Sequence, residues 1–485
     1  VGRSLIVVDD KFEHLFKDSS IETISPIKYI LESVKDEKKR AVYNLSSSYA
    51  YQDLGYYVSL LASARNDKVY PSPRTIQDLK DKRIQQLISE DLFELIQSKL
   101  SKLHSDKFEL SVYFGENISG AYKKLAWELY RIIQAPMFRV YLEKDKDWTV
   151  RRVKILTFSE LMPTHLDFAS SAAINYLNQN KNIKSSNKKT IYDLAILYNE
   201  DEISPPSDKK ALEMFVDAFK EVGFYTKMIQ HKERPNISEY DALFIRETTN
   251  VTHHTYRMAR NAEKEGLVVI DDPMSIVKCT NKVFLEQLME RLGLERPKTF
   301  IYDKKLFQKH YKKIALPCVL KKPDSAFSQG VHKAKSEDEL TDLATTLFQS
   351  TELILIQEFL PTDFDWRIGV LGGEVIYACK YYMAKDHWQI INNADGAAEG
   401  VSECIDPKDV DPKILKTSLK LAKEIGNGLY GIDLKQKGDK IYLIEINDNP
   451  SIEHGVEDQL LGKALYLKIA QYFMTECHQR RGINA

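Results

Sequence analysis

The chain has 485 residues, room for about three domains at roughly 150 residues each. Hydrophobic residues make up 43% and charged residues 29%, a folded-protein balance that excludes a disordered or collagen-like chain. Lys and Arg total 69 against 70 Asp and Glu, a net charge of -1, which excludes the chain-wide cationic surface of a dedicated nucleic-acid binder. No apolar run approaches the roughly 18 residues needed to span a bilayer, so neither nucleic acid nor membrane is expected as a partner. The run Leu5-Ile6-Val7-Val8 is too short for a secretory signal. Cys279, Cys318, Cys379, Cys404 and Cys477 are scattered without a CxxC pair. They read as buried small hydrophobes in a reducing cytoplasm, with neither a disulfide framework nor a structural zinc site.

Leu5 to Val8 and Ala41 to Leu45 read as short buried strands, Leu92 to Ile96 as helix, and Val153 to Phe158 as a third strand before a last helix. Strands alternating with helices predict an α/β layer. Residues 49–65 are rich in tyrosine, which suits either a cleft lining or the packed face of an amphipathic helix. Residues 178–190 hold one apolar residue and no periodicity, so they read as a linker and mark a boundary.

After the boundary, Asp193 to Tyr198 is a predicted strand. Leu212, Phe215, Val216 and Phe219 mark one face of the next helix, which Gly223 stops. Asp241 to Arg246 and Leu267 to Asp272 are further strands, predicting a small doubly wound parallel sheet. Arg246 falls at a strand's carboxyl end, where such sheets hold ligands; a solvated arginine is the alternative. His253-His254 reads as a solvated helix start.

Residues 280–293 form an amphipathic pattern with Phe284, Leu285, Leu288, Met289 and Leu292 on one face and a cap at Thr280 or Asn281. Lys282 in the first turn opposes the helix dipole, and an anionic ligand would remove that conflict. Residues 317–331 read as strand, small-residue loop and strand. This is either a phosphate-cradling loop with a strand lysine or a plain hairpin, and there is no GxxxxGK[ST] motif anywhere in the chain. Gly431-Ile432-Asp433-Leu434 and Ile441 to Asn447 read as strands joined at Lys437-Gly438-Asp439. Alternation places Leu443, Glu445 and Asn447 on one face. A carboxylate among isoleucines is costly to bury unless paired or metal-bound. Asp433, Glu445 and Asn447 offer three oxygens suited to Mg2+ or Mn2+, with a salt bridge to a lysine as the alternative.

The ordered series Asn281-Lys282, Val319 to Lys322, Ser328-Gln329-Gly330, Gln357 to Leu360, Asp365-Trp366-Arg367, Lys380, Asn392, Gly431-Ile432-Asp433 and Glu445-Ile446-Asn447 resembles the RimK-type amide ligases of the ATP-grasp superfamily. The likeness spans roughly residues 190 to 475, and residues 51–61 are similar to the domain found ahead of some RimK-like proteins. The resemblance implies an N-terminal α/β domain over residues 1–180 that docks a substrate or partner. An ATP-grasp fold follows, with a pre-ATP-grasp subdomain over 190–275, a central subdomain over 276–360 and a C-terminal subdomain over 361–485.

It implies ATP and two Mg2+ or Mn2+ ions held by Asp433, Glu445 and Asn447. Lys282 and Lys322, or Lys321 in its stead, would contact phosphates beside the Ser328-Gln329-Gly330 loop. Gln357, Glu358 and Phe359 would form the adenine hinge, and Asp365 would face the ribose. Arg367 and Lys380 would act on the phosphoryl and acyl groups, and Asn392 on the phosphates or metal. Two departures stand out: Ala326-Phe327 replaces loop glycines, and Tyr381 stands where glutamate ligases carry a second basic residue. The implied reaction is ADP-forming amide synthesis through an acyl phosphate on an amino acid, peptide or protein tail, in a chain that could form a homo-oligomer. A peptide macrocyclase and a catalytically inactive nucleotide-binding scaffold are the alternatives.

Overall fold

A computed structural model describes residues 4–480, leaving out 18, 20, 33–39, 66, 82–84, 86–87, 91, 182–190, 234, 325–329, 384–390, 393–397 and 400. The chain divides into two compact units, Val1–Ile191 and Tyr192–Ala485. The last helix of the first unit runs Pro163–Lys181, so helix continues into the predicted linker, whose residues 182–190 lie outside the described residues.

The first unit holds two sheets. One is parallel, in the order Glu22–Ile24, Ser4–Val8, Ala41–Leu45, Lys68–Tyr70. The other is an antiparallel meander of Lys107–Tyr113, Met137–Lys144 and Trp148–Ile155. The tyrosine-rich segment forms the helix Leu54–Ala64, whose buried face is Gly55, Val58, Ser59 and Ala62. A Cβ on Gly55 would meet the Ser48 carbonyl at 2.3 Å, so small residues set this close packing. Tyr51 and Tyr57 are exposed and belong to an edge-on tyrosine cluster with Tyr56. They are not the packed face.

The second unit carries three principal sheets. Its parallel sheet runs Val268–Ile270, Ala242–Arg246, Tyr192–Tyr198, Phe224–Ile229, as the apolar runs predict, with Phe224–Ile229 as an edge strand that lacks such a run. Gly223 ends the helix Lys209–Val222 in a left-handed conformation at φ 109°. That helix and the C-terminal helix Lys463–Arg480 pack against one face of the sheet through Phe215, Phe219, Tyr466 and Phe473. The opposite face packs against Met258, Ala259 and Ala262 of the helix His254–Lys264.

A four-stranded antiparallel sheet follows, in the order Thr299–Tyr302, Ile354–Glu358, Cys318–Lys321, Val331–Ala334. The last sheet is also antiparallel, ordered Ser402–Ile405, Glu374–Tyr382, Phe364–Leu371, Leu429–Lys437, Lys440–Asn447. The helices Pro412–Ile425 and Lys282–Arg291 cover one side of it.

Two expectations fail here. Cys379 and Cys404 face each other across neighbouring strands and form a disulfide, 4.1 Å between Cα atoms. Strand register creates this pair, and sequence spacing does not show it. Cys279, Cys318 and Cys477 are buried free thiols, as expected. Strict alternation along Lys440–Asn447 also fails. Leu443 lies opposite Leu434 and Glu445 opposite Asp433, so Ile444 is an extra residue. This bulge re-aims the strand: Leu443 joins Ile441 and Ile446 in the core, while Glu445 and Asn447 remain half-buried.

Candidate active site

Register brings the predicted oxygens together. Asp433 pairs with Glu445, and Gly431 with Asn447, on adjacent strands. Asn447 Nδ2 donates to Asp433 Oδ2 at 3.3 Å. Arg367, opposite Asp433 on the next strand, grips that carboxylate with two parallel bonds of 2.7 and 2.8 Å, the strong fork geometry of an arginine–carboxylate pair. Arg367 also lies 5.2 Å from the Tyr381 ring, whose hydroxyl donates to Glu457.

Lys282 reaches the site from a separate element. The Asn281 side chain caps the helix Lys282–Arg291 by accepting from Phe284 N at 2.9 Å. The Lys282 backbone N–H donates to Pro323 O at 2.8 Å, which ties the helix start to the strand leaving the four-stranded sheet. The Lys282 side chain is 8% exposed and its Nζ lies 3.0 Å from Glu445 Oε1. The conflict between this cation and the helix dipole is thus met by a carboxylate. Lys435, a residue the sequence reading passed over, binds Asp365 at 2.6 Å and Thr362 at 2.8 Å.

Burial pushes the Glu445 carboxyl up, yet Lys282, Lys321 and Arg367 outweigh it and hold Glu445 below the usual range. For Asp433 burial wins, and its pKa rises despite Arg367. Burial lowers the Lys321 amine to about 8, with Lys282 and Lys435 lowering it further against the pull of Glu445. Of the two adjacent lysines, Lys321 is therefore the one whose charge meets Glu445. The backbone N–H of Lys322 donates to Gly330 O at 3.0 Å, closing the neck of the loop whose Ser328 and Gln329 lie outside the described residues.

The other predicted residues are more dispersed. Gln357 is buried and donates to Thr299 Oγ1 at 2.9 Å. Glu358 ends its strand with its backbone N–H on Lys298 O at 2.9 Å, and Lys333 Nζ stands 3.4 Å over the Phe359 ring. Asn392 pairs with Ala398 in a two-stranded ribbon. Lys380 is not brought to the cluster. It pairs across from Trp366 rather than Arg367, and its Nζ packs 4.9 and 5.1 Å from the Phe364 and Trp366 rings. Successive residues of a strand face opposite sides, so Tyr381 shares the Arg367 face and Lys380 does not.

Arg246 is neither solvated nor open to a ligand. It is 1% exposed and donates to Ser207 Oγ, Asn449 Oδ1 and the carbonyls of Pro206 and Pro450 at 2.6 to 3.0 Å. Burial lowers its pKa to about 10. His253 stands at the N-terminal boundary of the helix His254–Lys264 without a side-chain capping bond, but the His254 side chain is only 14% exposed, so this is not a solvated start.

The donor set suits a hard divalent cation: three side-chain oxygens on neighbouring strand positions, beside cations that would otherwise neutralise them. Lys282, Lys321, Arg367 and Lys435 outnumber Asp365, Asp433 and Glu445, so the cluster keeps a net positive charge that suits an anionic ligand.

Residues 27–172 match the RimK-like ATPgrasp N-terminal domain, and residues 279–472 match the RimK-like ATP-grasp domain. The alpha-aminoadipate–LysW ligase LysX of Saccharolobus solfataricus is 27% identical over 288 residues, 57% of this chain and 91% of that protein. The coenzyme gamma-F420-2:alpha-L-glutamate ligase of Methanococcus maripaludis is 27% identical over 208 residues, 41% of this chain and 69% of the relative. Among solved structures, D-alanine–D-alanine ligase from Bacillus anthracis is similar with a TM-score of 0.48 and 15% identity, covering 60% of this chain and 99% of that one. The protein is an ATP-dependent ligase that forms carbon–nitrogen bonds. It belongs to the RimK-like ATP-grasp family, with the family's N-terminal domain joined to its ATP-grasp domain.

Proposed function

We propose that the chain joins the carboxylate of an amino acid, peptide or protein tail to an amine through an acyl phosphate. The observation that carries this reading is the cluster of Lys282, Arg367, Asp433, Glu445 and Asn447 on three antiparallel strands and a capped helix. In this reading a carboxylate oxygen attacks the γ-phosphorus of ATP and ADP leaves. The amine nitrogen then attacks the acyl carbon, loses a proton, and phosphate leaves.

Arg367 would turn from Asp433 to the phosphoryl oxygens as charge develops there, and Lys282 and Lys321 would hold the phosphates. Asp433, Glu445 and Asn447 would hold ions of the Mg2+ class, which supply charge neutralisation when bound. The sheets within residues 276–360 and 361–485 would hold the nucleotide, with the main chain after Glu358 against adenine and Asp365 toward the ribose. The amino-acid and peptide class rests on the names of the relatives, which are ligases of alpha-aminoadipate and of L-glutamate.

The test uses a heavy-oxygen-labelled carboxylate substrate, drawn from a panel of amino acids and peptides with ATP and Mg2+. The expected products are ADP and phosphate, with one label transferred into the phosphate. Stoichiometric AMP and pyrophosphate, or phosphate without label, would overturn the acyl-phosphate reading.

A further inference from the structure

The parallel sheet carries a cluster that nucleotide chemistry leaves unused. Glu247 follows the strand Ala242–Arg246, and His253 and His254 open the helix His254–Lys264. The connecting turn is closed by Asn250, whose side chain accepts from Thr252 N and Thr252 Oγ1 at 2.9 and 2.8 Å. The turn folds the strand end back over the helix start. As a result, one ligand atom from each of Glu247, His253 and His254 lies within 4.8 Å of the other two.

We propose that Glu247, His253 and His254 bind a divalent transition metal of the Zn2+ class, at a site separate from the nucleotide ions.

Three observations carry this beyond an ordinary ion pair. Glu247 Oε1 and His254 Nε2 approach to 2.8 Å, yet His254 Nε2 makes no hydrogen bond and Glu247 Oε2 has no partner. Two groups this close without hydrogen-bond alignment are arranged as neighbouring ligands of one ion are. The Glu247 side chain is 3% exposed, and an unsatisfied buried carboxylate oxygen is costly. A metal ion would satisfy both atoms at once.

The rings are also positioned from outside. His253 Nδ1 lies 3.3 Å from Thr255 Oγ1, the kind of support that orients a ligating imidazole. His254 is stacked on His231 at 4.0 Å. Glu247 also offsets the positive helix end that would oppose a cation.

Two imidazoles and one carboxylate suit Zn2+, Co2+ or Ni2+ rather than Mg2+. Metal–ligand bonds of roughly 2.0–2.2 Å place tetrahedral ligand atoms roughly 3.3 Å apart, so a modest side-chain contraction completes the site. A fourth position stays open for water or a substrate group. The Glu247 carbonyl accepts from Asn449 Nδ2 at 2.8 Å, so the bound ion would brace a residue two positions beyond Asn447.

The test titrates untagged, metal-stripped full-length protein with Co2+ and Zn2+, following cobalt's visible absorption and competition by Zn2+. One equivalent should bind with micromolar or tighter affinity, displaying the intense band of a low-coordinate cobalt site. His253→Ala and His254→Gln should each weaken binding at least tenfold while far-ultraviolet circular dichroism stays unchanged. Glu445→Gln should leave Co2+ binding intact. The proposal is overturned if no equivalent binds at micromolar metal, if both histidine variants bind as the parent does, or if Glu445→Gln alone removes the site.

Discussion

At the scale of single residues, the pocket stores positive charge at a cost that depends on pH. Lys321 titrates near 8 because burial disfavours its ammonium form. Its folded pKa lies below the ordinary lysine value of about 10.4, so the unfolded chain binds the extra proton between those two pH values. Raising the pH across that window therefore stabilises the nucleotide-free protein. In the proposed reading the same deprotonation removes a cation that holds the ATP phosphates. ATP affinity measured by calorimetry should fall by up to about tenfold per pH unit above 8 while the apo thermal midpoint, corrected for other groups with Lys321→Met, rises. Lys321→Arg should flatten the affinity profile, since guanidinium stays charged. A pH-independent affinity in the parent protein would remove Lys321 from the phosphate site. That Lys321 rather than Lys322 meets Glu445 was not legible in the adjacent pair. Nor were the Lys282–Glu445 contact, which a helix packed on the sheet creates, and the Lys435–Asp365 contact, which strand register creates, because each joins residues far apart in the chain. The oxygens themselves were legible because Asp433, Glu445 and Asn447 interrupt apolar strands, where polar side chains call for a partner.

At the scale of elements, the Asp433–Glu445 pairing depends on how the Phe364–Leu371, Glu374–Tyr382 and Leu429–Lys437 strands approach one another. Gly369 lies opposite both Tyr377 and Gly431. A Cβ on Gly369 would stand 2.2 Å from the Tyr377 ring, so the ring occupies the space a side chain would need. Gly369→Ala should displace Tyr377 and lower unfolding stability by about 1–3 kcal/mol in urea titrations. An unchanged midpoint would mean the ring moves freely aside. The strands carrying Asp433 and Glu445 were legible from apolar runs and the turn at Gly438, whereas Arg367 was legible only through the family resemblance. The bulge at Ile444 was not, because two residues facing one is decided by the partner strand. That single inserted position also explains why Leu443 lies in the core while Glu445 faces the site. Lys380 was misplaced for a related reason: a one-residue difference along a strand changes the face.

At the scale of the whole molecule, the unit beginning at Tyr192 contains all the clustered charges, and the first unit contains none of them. A fragment of residues 191–485 should bind ATP with Mg2+ in calorimetry at close to full-length affinity but lose most amide-forming turnover. Unchanged turnover on the same substrates would show that the N-terminal domain, with its exposed Tyr51 and Tyr57, does not select them. Arg246 has a further consequence during synthesis. Its side chain bonds Asn449, 203 residues later, and its sheet is covered by Tyr466, Ile469 and Phe473 of the last helix. At about 5–20 residues per second, the ribosome reaches those partners about 10–40 s after making Arg246. Until then a guanidinium built to be buried and a phenylalanine-rich sheet face both lack their closing elements. The sheet made first in this unit is thus finished last, and premature termination before residue 449 should release a chain that chaperones hold and proteases clear.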